Sequence, residues 1–455
     1  MNRVLHYLYG LPPVRGGGLI KYALDLAEQE KELGKEVILL APGAIHKRNS
    51  SHVSVKCKGK WNGVTIYKII NPLPIPMANG IQDIEWFTSN NGFDSYMNFL
   101  QELRPDVIHV HSLMGIHKSF FFAAKELKIK IVYTSHDYFG ICPKTDYIRN
   151  GQICTQKNWG NCGECCLQAF GTMHMILDQS TFFQKIMGLR GADLLLKKLI
   201  VLKKCLGRIN RQTVEQTKKI NEKRCEPDYS VLERYYEQIW EQIDVFHFNS
   251  EVAEQVFTKK LNNIQSVLLP ICNSNCMDNR KIKQFSSKIR IGFLGSGSIC
   301  KGFSLLQQAL ERLWNEGKQF EVKVYFNEPF VNAPYIKQNP PYKVEQLKTI
   351  LEEIDLLVVP SIWKETFGLV VLEALSYGVP VIVTENVGAK ILIEKTGNIG
   401  DICGADVDSL YKCLKNVMDK PDILKKWNKN ICDADFIFDM TDHAAQVIEK
   451  CYGGT

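Results

Sequence analysis

The sequence predicts an α/β protein of two doubly wound domains that face a central cleft. Three observations support this class. Strand and helix signals alternate along the first half of the chain, the same alternation restarts near residue 288, and a polar stretch without apolar periodicity, residues 273–287, separates the two halves. Strands spaced by helices favour parallel pairing in one sheet. The length of 455 residues also exceeds what one hydrophobic core usually organises.

The first predicted domain spans residues 1–272. It begins with an apolar strand, a glycine-rich turn and a helix that Gly34 ends. Between about 171 and 242 the alternation is lost, which predicts a helical insert. The predicted strands are Arg3–Tyr9, Glu36–Ala41, Val64–Ile70, Val107–Val110, Ile131–Thr134, Val245–Asn249 and Val267–Pro270, and the predicted helices include Leu19–Leu33 and Lys118–Leu127.

The second predicted domain spans residues 288–435. A helix over residues 436–455 is expected to return toward the first domain. Two such domains leave a cleft between the carboxyl ends of their strands, where α/β proteins bind ligands. The predicted strands are Lys288–Leu294, Phe320–Phe326, Leu356–Pro360 and Val379–Val383, with a helix at Phe303–Trp314.

Composition and charge narrow the class of protein. No apolar run approaches 18 residues, and His6 interrupts the first apolar run before a signal-peptide core forms, so we expect a cytoplasmic location. The net charge of +7 arises from one stretch, because Lys185–Arg224 holds twelve basic and three acidic residues. The near-neutral remainder argues against a nucleic-acid partner. The basic stretch predicts either an amphipathic helix on an anionic membrane surface or a solvated helical face packed on the first domain.

Five of the fifteen cysteines lie within 25 residues, between positions 142 and 166. One pair is spaced C-x-x-C, an arrangement that turns two thiolates onto one ion. The sequence therefore predicts either a structural zinc site or reduced, unligated thiols. The zinc ligands would be Cys142, Cys154, Cys162 and Cys165.

Residues 356–384 carry the most specific pattern for function. A strand that ends at Pro360 is followed by a loop with Glu365, and a helix begins near Phe367. The free amides of a first helical turn, here Phe367–Val370, bind anions such as a diphosphate. Glu365 precedes these amides and Glu373 follows two turns later. The two carboxylates could accept hydrogen bonds from hydroxyls on either side of a phosphate group, or they could be ordinary loop and helix acids.

The motif around these glutamates resembles that of retaining GT-B glycosyltransferases of the E-x7-E type, which include family 4-like and group 1 enzymes. Residues 360–382 read P-S-x-W-x-E-x-F-G-L-V-x-x-E-A-L-x-x-G-x-P-V-I. The resemblance implies a GT-B fold, with two Rossmann-like domains facing a cleft. It further implies that Glu373 binds the nucleotide ribose and that Glu365 contacts the donor sugar. The backbone amides of Phe367, Gly368 and Leu369 are expected to reach the donor as well.

A second loop of the same domain agrees with the resemblance. Residues 295–302, Gly-Ser-Gly-Ser-Ile-Cys-Lys-Gly, follow the first strand of the domain, where the family places a basic phosphate clamp. Lys301 fits as the charge that stabilises the diphosphate leaving group. Ser296 and Ser298 stand where the family usually has an arginine. By its glycines alone the loop matches neither the dinucleotide fingerprint, since Cys300 replaces the third glycine, nor a P-loop, since Gly302 replaces Ser/Thr.

In the first domain, glycines and histidines lie where predicted strands end. Gly16, Gly17 and Gly18 follow the first strand, either as a flexible turn or as a loop against the donor phosphate or acceptor. His136 aligns best with the family's histidine near the donor sugar. His111 is the second choice, with a buried supporting histidine as the alternative.

The resemblance implies a nucleotide-sugar donor, a UDP- or GDP-sugar, and retention of the anomeric configuration, with the donor phosphate acting as base. No metal or other cofactor is expected in catalysis, and the D-x-D pairs at 406–408 and 433–435 are interpreted as chance. The predicted function is sugar transfer to a glycan or lipid-linked acceptor in bacterial surface polysaccharide biosynthesis. The alternatives are a silent GT-B scaffold that partners an active transferase, or a GT-B epimerase or phosphorylase. A phosphorylase would need a longer chain and a lysine-bound pyridoxal cofactor.

Overall fold

The structure of the protein is a computed structural model that describes residues 2–46, 52–76, 80–167, 169, 171–181, 228–286, 288–330, 332–435 and 439–453. The basic stretch 185–224 lies outside the described residues. Within the described ranges, the helices lack the combination of length and apolar character that crossing a bilayer demands.

The first domain is built on an eight-stranded sheet with the strand order β10-β9-β6-β5-β1-β2-β4-β3. Its strands pair in parallel except for β3, which runs antiparallel to β4. A separate antiparallel hairpin, β7–β8, follows β6. The bounds are β1 Arg3–Tyr7, β2 Glu36–Pro42, β3 Ser54–Trp61, β4 Val64–Ile70, β5 Val107–Val110, β6 Lys130–Thr134, β7 Ile148–Arg149, β8 Gln152–Ile153, β9 Val245–Phe248 and β10 Ser266–Leu268.

The second domain has a six-stranded, fully parallel sheet with the order β13-β12-β11-β14-β15-β16. The two sheets confirm the predicted α/β class with two doubly wound domains. The bounds are β11 Ile289–Phe293, β12 Phe320–Val324, β13 Ile336–Gln338, β14 Leu356–Val359, β15 Val381–Thr384 and β16 Gly400–Cys403.

Helices cover both faces of each sheet. In the first domain they are α1 Gly18–Glu32, α2 Phe93–Leu103, α3 Lys118–Glu126, α4 Cys162–Cys166, α5 Thr172–Asp178, α6 Tyr229–Trp240 and α7 Glu251–Thr258. In the second they are α8 Phe303–Asn315, α9 Leu347–Glu352, α10 Leu369–Leu375, α11 Lys390–Thr396, α12 Val407–Asp419 and α13 Asp422–Asp433. The chain closes with α14 Met440–Val447 and a π-helical turn, Ile448–Gly453.

The two faces of the first sheet are covered differently. One face packs against α2, α3 and α6, so α6, within the predicted insert, belongs to this domain's core. The other face packs against α1 and the C-terminal segment that contains α14. Tyr22 of α1 hydrogen-bonds His443 of α14 at 2.8 Å, so the C-terminal segment is held to the first domain.

The predicted strands form within two residues of their expected ends, but five strands were not predicted. Two of them form the short hairpin β7–β8, and the other three, β3, β13 and β16, are outermost strands of the two large sheets. An edge strand has one neighbour and tolerates polar side chains, which weakens its apolar signal. In β3, for example, the residues from Lys56 to Lys60 are exposed to solvent.

Candidate active site

Two loops of the second domain meet at the point where its strand order reverses. β11 lies between β12 and β14, and Ile291 pairs with Leu356. Such a reversal opens a crevice at the carboxyl ends of the strands. The loop after β11 carries Lys301 and the loop after β14 carries Glu365. Lys301 Nζ lies 2.6 Å from Glu365 Oε1, although 64 residues separate the two along the chain.

Glu365 is buried, and both of its carboxylate oxygens have hydrogen-bond partners. It is 7% exposed, and the Ser361 hydroxyl donates to its second carboxylate oxygen. Burial alone would raise the pKa of Glu365, but the Lys301 ammonium and the hydrogen bonds from Lys301 and Ser361 outweigh it and lower the pKa. Lys301 also lies 5.2 Å from the centre of the Trp363 ring, within cation–π range. Glu365 is therefore a carboxylate near neutral pH, with its charge balanced by one lysine.

Gly302 allows the loop after β11 to approach β14. Its φ is +74°, and a Cβ there would lie 1.8 Å from the carbonyl oxygen of Pro360. A side chain is therefore excluded, and the position cannot carry the Ser/Thr of a P-loop. The close approach of these backbones places Lys301 beside Glu365.

Glu373 lies on α10, which begins after Gly368 in the left-handed conformation at φ +94°. The Glu373 side chain is half-buried, and its carboxylate accepts a hydrogen bond of 3.3 Å from the Asn273 amide in the segment between the domains. Burial raises the pKa of Glu373, although hydrogen bonds from Asn273 and Asn275 and the Lys21 charge oppose this. The helix has seven residues, so its macrodipole is small.

A cavity of about 660 Å³ opens next to these groups at the ends of β11 and β12. Ser296, Tyr325 and Tyr342 line it, and the two tyrosine rings meet edge to face at 5.7 Å. Burial, together with the nearby Glu373 carboxylate, raises the pKa of Tyr342. The Glu373 carboxylate is therefore near enough to Tyr342, one of the residues that line the cavity, to act on it electrostatically. The Ser296 hydroxyl lies 2.8 Å from that of Ser298 at the cavity rim.

The first domain contacts this site from the opposite side. Gly16, Gly17 and Gly18 are exposed, and a Cβ on Gly18 would lie 3.5 Å from Leu369 Cδ1. The Thr366 hydroxyl donates to the main-chain carbonyl of His136 at 3.2 Å. The glycine loop therefore lies beside the first turn of α10, and the His136 loop contacts the motif loop of the second domain.

The two candidate histidines occupy different positions. His136 is half-buried at the contact between the domains, and burial lowers its pKa to about 3. His111 is fully buried, and its Nδ1 lies 3.4 Å from His136 Nε2. Its side chain thus reaches the interdomain cleft only through His136, which agrees with the alternative of a supporting histidine.

Sequence reasoning did not single out several groups that complete the site. Ser361 is within the quoted motif, Asn273 is the first residue of the predicted linker, and Tyr325 directly follows β12. The position of Tyr325 at the carboxyl end of a strand beside the reversal could have identified it. Tyr342 gave no such signal, because an irregular segment carries it.

The predicted zinc ligands are close in sequence but do not form a compact group. Cys142, Cys154 and Cys162 pack against the core of the first domain. In the described part of the chain, the single group of three or more potential ligands with atoms within 4.8 Å of one another is His6, His109 and His111. The cysteine zinc site thus stays a prediction.

Of the D-x-D pairs, one has a structural role. The Asp406 carboxylate caps α12, accepting a 2.8 Å hydrogen bond from the backbone amide of Ser409. Capping residues of this type stabilise helix N-termini, and this accounts for the carboxylate without a metal.

Comparisons with known proteins agree with this architecture. Residues 16–153 match the model of Glycosyltransferase Family 4, and residues 338–432 match that of Glycosyl transferases group 1. The chain is 22% identical over 403 residues to an uncharacterized 42.6 kDa protein in the cps region of Klebsiella pneumoniae, covering 85% of this chain and 86% of that protein.

Two solved structures illustrate the shared fold. WaaG, a glycosyltransferase involved in lipopolysaccharide biosynthesis, is 14% identical with a TM-score of 0.53, over 98% of this chain and all of WaaG. HepE from Anabaena, in complex with UDP and glucose, is 12% identical with a TM-score of 0.53, over 98% of each chain. The fold is therefore GT-B. This fold, together with one glycosyltransferase family model that matches each domain, supports the interpretation of the protein as a GT-B glycosyltransferase.

Proposed function

We propose that the protein is a retaining glycosyltransferase that moves a sugar from a UDP- or GDP-sugar to a glycan or lipid-linked acceptor. The observation that carries this proposal is the Lys301–Glu365 pair, a buried carboxylate and a half-buried lysine that two loops hold at the cleft between the domains. A silent scaffold would have no need to place such a pair beside an open cavity.

Each group has a role in the proposed reaction. Lys301 stabilises the charge that develops on the departing diphosphate, and an ammonium in a partly buried site does this more strongly than in water. Glu365 accepts hydrogen bonds from the donor sugar. The acceptor hydroxyl attacks on the face from which the diphosphate leaves, and a phosphate oxygen takes its proton. This route requires neither a metal nor a protein base.

The donor nucleoside occupies the cavity beside Ser296. Its base packs against Tyr325 and Tyr342, and its ribose hydroxyls donate to Glu373, which lies near Tyr342. Asn273, which donates to Glu373, orients the carboxylate for this contact. The exposed glycines 16–18 leave room for phosphate or acceptor on the opposite wall.

The acceptor belongs to bacterial surface polysaccharide biosynthesis. This part of the proposal draws on WaaG and on the cps-region protein. The basic stretch 185–224 attaches the protein to the anionic inner face of the cell membrane, since each basic residue near such a surface contributes about 1 kcal/mol. Exposed apolar side chains at Leu167, Met173 and Leu177, shortly before this stretch, support the same attachment.

Sedimentation with anionic vesicles tests the membrane attachment. The wild type should sediment at low salt and be released as ionic strength rises. Changing Lys197, Lys198, Lys203 and Lys204 together to glutamate should abolish sedimentation and leave nucleotide binding intact. A wild type that ignores anionic vesicles at low salt would favour a soluble acceptor.

A thermal-shift panel of UDP-, GDP- and ADP-sugars, followed by donor turnover, tests the transferase. A ligand present at 100 times its Kd adds about 2.7 kcal/mol of stability. Glu365→Gln should reduce turnover more than donor affinity, because its contact is with the reacting sugar. Glu353→Gln, a change to a half-exposed glutamate of the same domain, is the control. Donor binding without any turnover in the wild type would favour the silent scaffold.

A further inference from the structure

A chain of buried histidines runs from the interior of the first domain to His136. Side chains on the face of the sheet toward α1 alternate along each strand, so valines at the amino ends are followed by polar residues at the carboxyl ends. His6 of β1 pairs in register with His109 of β5, and His111 directly follows β5. His6, His109 and His111 are fully buried.

In this chain of histidines, every hydrogen bond is donated in the same direction, toward Glu30. Glu30 Oε2 lies 2.8 Å from His6 Nε2, so this nitrogen carries the hydrogen. A neutral His6 then accepts at Nδ1 from His111 Nε2 at 3.0 Å. A neutral His111 accepts in turn at Nδ1 from His136 Nε2 at 3.4 Å. Three neutral imidazoles thus supply the three hydrogens that these three contacts need.

A second branch leaves the other oxygen of Glu30. It joins Oε1 to the main-chain carbonyl of Leu269 through five contacts of 2.6–2.9 Å, and it passes in order through Tyr452, His109, Thr134 and His247. With neutral imidazoles and an ionised Glu30, this branch has four hydrogens for five contacts. Tyr452 donates to Oε1, so Oε2 is left to accept from His6.

The free end of the chain is at the candidate active site. Among the described residues, His136 Nδ1 has no hydrogen-bond partner. Because Nε2 holds the hydrogen, Nδ1 presents a lone pair. The Tyr22 ring packs 4.9 Å from the His136 ring and restricts its rotation.

We propose that Glu30, acting through His6 and His111, sets the tautomer and orientation of His136 so that its Nδ1 accepts a hydrogen bond from a hydroxyl of the donor sugar. The identity of the ligand rests on the proposed function, whereas the chain itself does not. Glu30, His6 and His111 are positioning residues, and only His136 touches the ligand. The 3.4 Å contact shortens when the ligand engages His136, as contacts in active sites without ligand often do.

A bound metal is the competing interpretation of the same histidines, since nitrogens of His6, His109 and His111 lie within 4.8 Å of one another. However, both ring nitrogens of each have a protein partner. Hydrogen bonds therefore satisfy the cluster without an ion.

Nitrogen NMR of the full-length protein labelled with 15N-histidine tests the chain directly, with metal analysis of the same sample. His111 and His136 should be neutral near pH 7.5, and His6, His111 and His136 should each carry a hydrogen at Nε2. A proton on His111 Nδ1, or one equivalent of metal that is lost in His109→Asn, would overturn the proposal. This result does not depend on activity, so a wild type that turns over no sugar nucleotide would refute the proposed function alone.

Substitutions at Glu30 separate positioning from structural support. Glu30→Gln keeps an amide oxygen for His6, and its NH₂ group supplies the fifth hydrogen of the second branch, so His136 should keep one tautomer and turnover should be near wild type. Glu30→Leu should give mixed tautomers of His136 and about tenfold lower kcat with a nearly unchanged donor KM, the size expected for one hydrogen bond.

His6→Asn interrupts the same chain of histidines at another residue, and it serves as the test if Glu30→Leu does not fold. It should have the same effect as Glu30→Leu on the His136 signals. His117→Asn is the matched control, because His117 is also buried in the same domain, but among the described residues its side chain bonds only Tyr96, outside the histidine chain. Unchanged His136 signals in His6→Asn, or equal losses in His6→Asn and His117→Asn, would overturn the proposal.

Discussion

Removing Lys301 should destabilise the second domain more than removing the charge of its partner. In Lys301→Ala the Glu365 carboxylate, whose side chain is 10% exposed, loses its counter-ion and keeps the Ser361 hydroxyl. Removing one partner of a buried ion pair costs about 3–5 kcal/mol. Lys301 is 28% exposed, so water reaches the space it leaves, and we expect the lower end, about 3 kcal/mol.

Glu365→Gln should destabilise the protein less than Lys301→Ala does. The remaining ammonium of Lys301 can turn toward water, and the new amide oxygen still accepts from Ser361, so we expect a loss of about 1 kcal/mol, the net value of one hydrogen bond. The double variant should be more stable than Lys301→Ala alone, because no buried charge remains. This asymmetry follows from the different exposure of the two side chains.

Thermal unfolding followed by circular dichroism measures the effect. A loss of about 3 kcal/mol should lower the transition of the second domain by about 6–12 °C. The matched control is Lys323→Ala, since Lys323 also pairs with a glutamate at 2.8 Å, but that partner, Glu353, is half exposed. The control should lose at most about 1 kcal/mol. Equal shifts in the two lysine variants, or a larger loss in Glu365→Gln than in Lys301→Ala, would refute the reasoning.

The pH dependence of stability gives an independent check on the direction of the pKa shift of Glu365. The folded-state pKa of Glu365 lies below its ordinary value, so the pair stabilises the wild type above about pH 4.3, the unfolded pKa, and this contribution disappears as pH falls through the folded pKa. Without Lys301, burial instead raises the pKa of the carboxyl, and protonation then favours the folded variant. The difference between wild type and Lys301→Ala should therefore shrink on acidification, and a difference that grows would contradict the assignment.

Three further predictions address the rest of the site. Glu373→Gln should weaken nucleoside diphosphate binding by about 1.5–3 kcal/mol, because ribose hydroxyls lose a charged acceptor; calorimetry with unchanged affinity would remove Glu373 from the ribose site. Tyr342→Ala should cost about 1–3 kcal/mol if a base stacks there, measured in the same way, and a matched loss for UDP and for inorganic diphosphate would argue against stacking. Burial raises the pKa of Asp137 to about 6, so its ionised form opposes folding above that pH. Asp137→Asn should therefore be more stable than wild type at pH 8, and this gain in stability should fade toward pH 4. A gain that is constant with pH would show that the titration of Asp137 does not cause it.

Local patterns in the sequence were enough to predict the fold class and the principal loops. A central strand such as β14 is buried on both faces, so it appears as a continuous apolar run bounded by turn residues. The motif from Pro360 to Ile382 places Glu365 on a loop and Glu373 on the helix that follows. Their relative position depends only on residues that are close in sequence. Three of the four outermost strands, β3, β13 and β16, were not predictable, because they are bonded on one side and keep polar side chains.

Contacts between distant parts of the chain were decided only by the tertiary structure. Lys301 pairs with Glu365 because β11 and β14 are neighbours in the second sheet and Gly302 lets their loops touch. His111 was a candidate for the cleft, but register with β1 buries it between His6 and His136. Sequence patterns report which face of an element is buried, because burial repeats along the chain. They do not report which strand lies beside which, since strand order depends on the packing of the whole domain.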